Sequence, residues 1–131
     1  AKENNYVKPQ LALSSQSNEH SFLIIREARH PLVELINEEA IFVPNDAFSG
    51  AECVQIFPGM DRNHANKIKV ITAPNASGKT IYLKQVALIV YMTMIGSFVP
   101  AAQAIIGDFD RIYTRINSNE SLTHGRSIML F

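Results

Sequence analysis

A chain of 131 residues, 47% of them hydrophobic, can bury one core and is too short for two comfortable domains. Twelve basic and twelve acidic residues leave a formal net charge of +0, so no global attraction to nucleic acid or to an anionic membrane is expected. The one cysteine, Cys53, has no second thiol with which to form an intramolecular disulfide or share a metal, which suits a reducing compartment.

The opening AKENNYVKPQ is polar and shows no secretory leader. Residues 1–20 read as a loop or frayed end, with the folded part beginning after them and running over 21–131. Ser21 to Ile25 is a short apolar run suited to a strand, and Arg29-His30-Pro31 then breaks the backbone before Leu32-Val33-Glu34. Ile41-Phe42-Val43 is a second strand candidate, stopped by Pro44-Asn45-Asp46. The stretch from Phe48 to Gly59 includes the β-prone Val54 to Phe57, as in an antiparallel flap of short strands.

Ile68 to Ile71 is rich in β-branched residues and predicts a strand that runs straight into the loop APNASGKT. From Lys79 the period becomes helical: Leu83, Val86, Val90 and Met94 recur on one face, thickened by Ile81, Leu88 and Ile95. So apolar a helix should be buried on most sides. No charge occurs between Lys84 and Asp108, but the uninterrupted apolar core, Val86 to Ile95, is far shorter than the roughly 20 residues a membrane-spanning helix needs. Beyond Pro100 the chain predicts a strand at Ala104 to Ile106, a turn at Gly107-Asp108, a strand over Arg111 to Ile116, and a polar stretch to Arg126. Strands on either side of a helix imply a parallel crossover and an α/β sheet. The absence of an initial Met and the apolar end Ile128 to Phe131 suggest a piece of a longer polypeptide.

Ala73 to Thr80 meets the pattern G-x-x-x-x-G-K-[ST], with alanine at the first glycine. Backbone N–H groups of such a loop point inward, and the following helix adds its positive end, so phosphate oxygens find a ready site. Lys79 is the candidate catalytic residue, reaching the β- and γ-phosphates of ATP, and the Thr80 hydroxyl is the candidate ligand of Mg²⁺. Gly78 lets the backbone approach the phosphates closely. The methyl of Ala73 costs ~1–2 kcal/mol only if that position is left-handed. Hydrolysis also needs an acidic residue closing another strand and a group to activate water. Asp108 and Asp110 belong to a turn, and no apolar run ends in a suitable acid, so this chain alone is expected to bind ATP without hydrolysing it.

The ordered blocks ARHPLVE (28–34), FVPND (42–46), APNASGKT (73–80), IYLKQVALI (81–89), IGSFVPA (95–101), IGDFDRIYTRI (106–116) and GRS (125–127) resemble the ATPase domain of the MutS mismatch-repair family. Within that family, IYLKQVALI and INSNES (116–121) are most similar to the meiotic branch. The resemblance implies a P-loop NTPase of the ABC-like kind, present as the N-terminal portion of the domain and truncated before the acids that complete hydrolysis. It implies ATP and Mg²⁺ as cofactors, a dimer with composite nucleotide sites, and DNA bound through the full-length protein. The meiotic branch implies a heterodimer with MutS homologue four, located in the nucleus on chromosomes and clamping recombination intermediates.

Residue by residue, the resemblance puts Phe42 against the adenine ring, with Val43 and Asn45 flanking the base, although the residues alone favour core packing for Phe42. It puts Ala73, Pro74, Asn75, Ala76, Ser77 and Gly78 around the phosphates with Lys79 and Thr80. Ser127 matches the serine that reaches the γ-phosphate of the partner's nucleotide, although the family continues Ser-Thr-Phe-Met where this chain has Ser127-Ile128-Met129. His30 is read as structural. The rival expectations are a non-hydrolytic nucleotide-binding or dimerisation fragment of a degenerate paralogue, or another class of P-loop protein.

Overall fold

A computed structural model describes residues 5–12, 22–36, 42–50, 53, 66–74 and 77–115. Their elements run β1 (Gln10–Ala12), β2 (Leu23–Ala28), α1 (Pro31–Ile36), β3 (Asn45–Ser49), α2 (Lys79–Met94) and β4 (Gln103–Gly107). The four strands form one sheet in the order β1-β4-β2-β3, making a mixed α/β arrangement.

Alternation on the two central strands divides the core. Ile25, Ala104 and Ile106 join a cluster with Ile89 and Val90 of α2, while Ile24 and Ile105 join one with Phe22 and Cys53. In the β2–β4 pairing Ile24 stands opposite Ile105 and Ile25 opposite Ala104, so like residues share a face. A slip by one residue would send the helix-facing set to the other side. The loop after α2 is tied to the sheet by Arg29 N–H donating to Pro100 O (2.8 Å) and Ala102 N–H donating to Arg26 O (2.9 Å).

Several expectations are corrected. The sheet is largely antiparallel: β2 pairs antiparallel with both β3 and β4, and only β1 and β4 run parallel. Its parallel strand comes from the polar opening, where Gln10, Leu11 and Ala12 pair with Ile105, Ile106 and Gly107. The first apolar strand lies at Leu23–Ala28, shifted toward the Arg29-His30-Pro31 break. Residues 42–44 form no strand, and β3 occupies Asn45–Ser49, where a stop was expected. Asp46 is the reason a turn former suits a strand here, because its Oδ1 accepts the N–H of Glu27 at 2.8 Å.

Residues 68–71 and 111–115 form no strand either. Ile68 and Val70 are 85% and 86% exposed, and neither segment is paired with another strand among the described residues. β-Branched composition favours a strand only where a neighbour accepts its hydrogen bonds and packs its side chains. Val54 to Phe57, Ile116 and the polar stretch after it lie outside the described residues.

Helix α2 is present as expected but buries one face only. Gln85, Ile89, Val90 and Thr93 are buried, whereas Leu83, Tyr91 and Met94 are exposed, because the sheet covers a single side. The helix ends in a Schellman arrangement: Gly96, at φ 77°, donates to Thr93 O (3.0 Å) and Ser97 N–H donates to Met92 O (2.9 Å).

Candidate functional site

The loop meets α2 at Gly78, whose φ of 94° and ψ of 5° are left-handed. A side chain would meet no atom within 4 Å there, so it is backbone conformation, not space, that selects glycine. Among the described residues no side chain caps the helix start. Its first N–H groups and positive end therefore face the loop. Ala73 is not among the residues with positive φ, of which the described non-glycine examples are Asn5 and Glu27. Its methyl thus carries no left-handed penalty, and alanine serves where the pattern has glycine.

Lys79 folds back over the loop, its Nζ donating to the carbonyl oxygens of Ala73 and, at 2.7 Å, Pro74. The ammonium therefore sits within the loop before any ligand enters. Thr80 follows in the first turn of α2, partly buried. Asn75, Ala76 and Ser127 lie outside the described residues.

A cavity of about 770 Å³ opens beside the loop, within the size range of small-molecule and cofactor sites. Phe42, Val43 and Asn45 line it together with Ala73, Ser77, Gly78 and Lys79. Two groups that are 28 residues or more apart in sequence thus border one space, while Pro74 and Thr80 are not part of its wall. The Asn45 side-chain amide donates to Val43 O at 2.9 Å, closing the short turn that presents Phe42 and Val43. Among the described residues Lys69 and Lys79 are the charged groups of the wall and no carboxylate lines it, so this part of the cavity favours an anion. Among the described residues no group of three His, Cys, Asp or Glu side chains is arranged to hold a metal, and no helix is long and apolar enough to cross a membrane. Asp108 and Asp110 are exposed beyond the end of β4.

Tyr82 and Gln85 also line the cavity and were missed in the sequence. Their signal was spacing: Lys79, Tyr82 and Gln85 follow one another at three-residue steps, which keeps them on one side of a helix. The Tyr82 hydroxyl donates to Asp46 O at 3.2 Å, and burial, then the nearby Asp46, raises its pKa above the ordinary phenol value. Gln85 is fully buried, and neither its Nε2 nor its Oε1 has a hydrogen-bond partner among the described residues. Each unpaired buried group of this kind costs ~1–3 kcal/mol.

Residues 69–131, which include the loop and α2, match the family MutS domain V. The DNA mismatch repair protein MutS of Alkaliphilus metalliredigens is 45% identical over 130 residues, 99% of this chain and 13% of that protein. Its counterpart in Alkaliphilus oremlandii is 42% identical over 130 residues, again 99% of this chain and 13% of the relative. That of Clostridioides difficile is 43% identical over 127 residues, 97% of this chain and 12% of the relative. The chain therefore spans only about an eighth of the length of these relatives. They are bacterial mismatch repair proteins, not members of the meiotic branch that residues 81–89 and 116–121 resemble. On these matches the chain is similar to MutS proteins over nearly its whole length, with the loop and α2 inside the part that matches MutS domain V.

Proposed function

We propose that this chain is the ATP-binding part of a MutS-family ATPase that acts on DNA as a dimer. The observation that supports it best is the single cavity whose wall carries Phe42, Val43 and Asn45 together with Ala73, Ser77, Gly78 and Lys79. A wall that holds both an aromatic ring and a cationic helix start suits the base and the phosphates of a nucleotide. Lys79 exchanges its contacts with Ala73 O and Pro74 O for phosphate oxygens, which are better acceptors for an ammonium than neutral carbonyls. The family resemblance adds Asn75 and Ala76 to the groups that meet the phosphates. The Thr80 hydroxyl holds Mg²⁺ jointly with phosphate oxygens, a sharing that Mg²⁺ sites commonly use. Hydrolysis draws its acids from residues beyond those described, and Ser127 serves the partner's nucleotide.

Equilibrium binding of labelled ATP to this chain tests the reading. Lys79→Ala should weaken binding at least tenfold, the order of a lost charge-assisted contact of ~1.5–3 kcal/mol. Equal affinity of the two proteins would remove Lys79 from the site. A chain that binds ATP but hydrolyses none in the complete protein would favour the rival reading, a non-hydrolytic fragment of a degenerate paralogue.

The similarity of residues 81–89 and 116–121 to the meiotic branch favours a finer reading: a nuclear, chromosome-associated clamp subunit on branched DNA, paired with MutS homologue four. Co-expression of the complete protein with that homologue should then give a one-to-one heterodimer. Self-association alone, with preference for mismatched duplexes, would assign it to mismatch repair.

A further inference from the structure

Two groups of residues that line the cavity are carried by different elements, Phe42, Val43 and Asn45 around the start of β3 and Gly78 and Lys79 at the start of α2, and one side chain ties those elements together. Tyr82 lies in the first turns of α2, its N–H donating to Gly78 O at 2.9 Å and its ring packed against the cluster of Ile25, Ile89 and Val90. Its hydroxyl crosses to β3 and donates to the backbone oxygen of Asp46 at 3.2 Å. Asp46 in turn is held from the far side, where its Oδ1 accepts the N–H of Glu27 at 2.8 Å.

Glu27 is one of the two described non-glycine residues with positive φ, at 49°. It sits inside the irregularity that shifts the β2–β3 register between Ile25 and Ala28. A left-handed non-glycine residue persists only where its surroundings hold it there, and here the Asp46 carboxylate does so. The contacts thus run from the glycine that starts α2, through Tyr82, to the residue next to Asn45, and on to the bulge of β2.

We propose that Tyr82 is a positioning residue that sets the spacing between the phosphate end and the base end of the cavity. This rests on the cavity being a nucleotide site. The Tyr82 hydroxyl is committed to Asp46 O, so it acts by holding the Phe42–Asn45 segment at a fixed distance from the loop. A ligand that spans both ends needs that distance, and a ligand that occupies only the phosphate end does not.

Affinities of the full chain for ATP and for inorganic triphosphate separate the two cases. Tyr82→Phe keeps the packed ring and removes the hydroxyl. It should weaken ATP roughly three- to tenfold, the worth of one hydrogen bond, and leave triphosphate within about twofold of the parent. Asp46→Ala releases the same strap from the β2 side and should do likewise, so it carries the test if Tyr82→Phe folds poorly. The double variant should lose little more than the worse single one, because both changes cut one chain of contacts. Parent-like affinities for both ligands, equal losses for both, or additive losses in the double variant would overturn the proposal. If the parent chain binds neither ligand, the nucleotide reading of the cavity falls and this proposal with it. If it binds ATP and the variants keep its selectivity, this proposal alone falls.

Discussion

His30 shows how much a single side chain settles. In the sequence it sits in a backbone-breaking Arg-His-Pro turn, a place that suits a structural role. In the structure it caps α1: Nδ1 accepts the N–H of Val33 at 3.3 Å, with Pro31 at the first helical position. His30 is 1% exposed and its Nε2 has no partner among the described residues. Burial, with a smaller contribution from Lys84, lowers its pKa below the ordinary value of 6.5. The folded state therefore binds the His30 proton more weakly than the unfolded chain does. The stability tied to neutral His30 is present above the unfolded value and is lost as pH falls from there through the folded one. Thermal melts from about pH 7 to about pH 5 should show a falling Tm in the parent and a flatter curve in His30→Asn, which keeps a capping acceptor but cannot ionise. Parallel curves would contradict this role.

At the scale of elements, legibility followed local information. Helix α2 could be read because its start is written by Gly78-Lys79-Thr80 and its length by continuous apolar periodicity, and β4 because Ala104 to Ile106 is short, apolar and bounded by turn formers. β1 could not be read: three residues of Gln-Leu-Ala carry no pattern, and their partners on β4 lie 95 residues further along the chain. The β-branched runs at 68–71 and 111–115 erred in the opposite direction, because strand formation requires a neighbouring strand as well as suitable residues. The helix misled in its environment, since composition states how apolar a surface is but not how many elements cover it. Exposed Leu83, Tyr91 and Met94 are the residues on which that inference failed. The site was half legible: the loop announced itself by motif, and Phe42, Val43 and Asn45 were reached through family resemblance. Tyr82 and Gln85 were visible only as a spacing on a helix whose facing wall was not yet known.

At the scale of the molecule, a chain with net charge +0 has gathered its local charge where it matters, with two lysines and a helix start around one cavity. Net charge excluded a broad basic surface but said nothing about such a focus. Nearly the whole chain matches proteins about eight times its length, and the property proposed for its cavity is recognition of a ligand that joins a base to phosphates. The measurement that tests this most directly is a pair of titrations, ATP and inorganic triphosphate, on the parent chain and on Phe42→Ala. Loss of the ring should weaken ATP by roughly fivefold or more, the scale of a stacking contact of ~1–3 kcal/mol, and leave triphosphate unchanged. Equal weakening of both ligands, or none of either, would contradict a single cavity holding base and phosphates together.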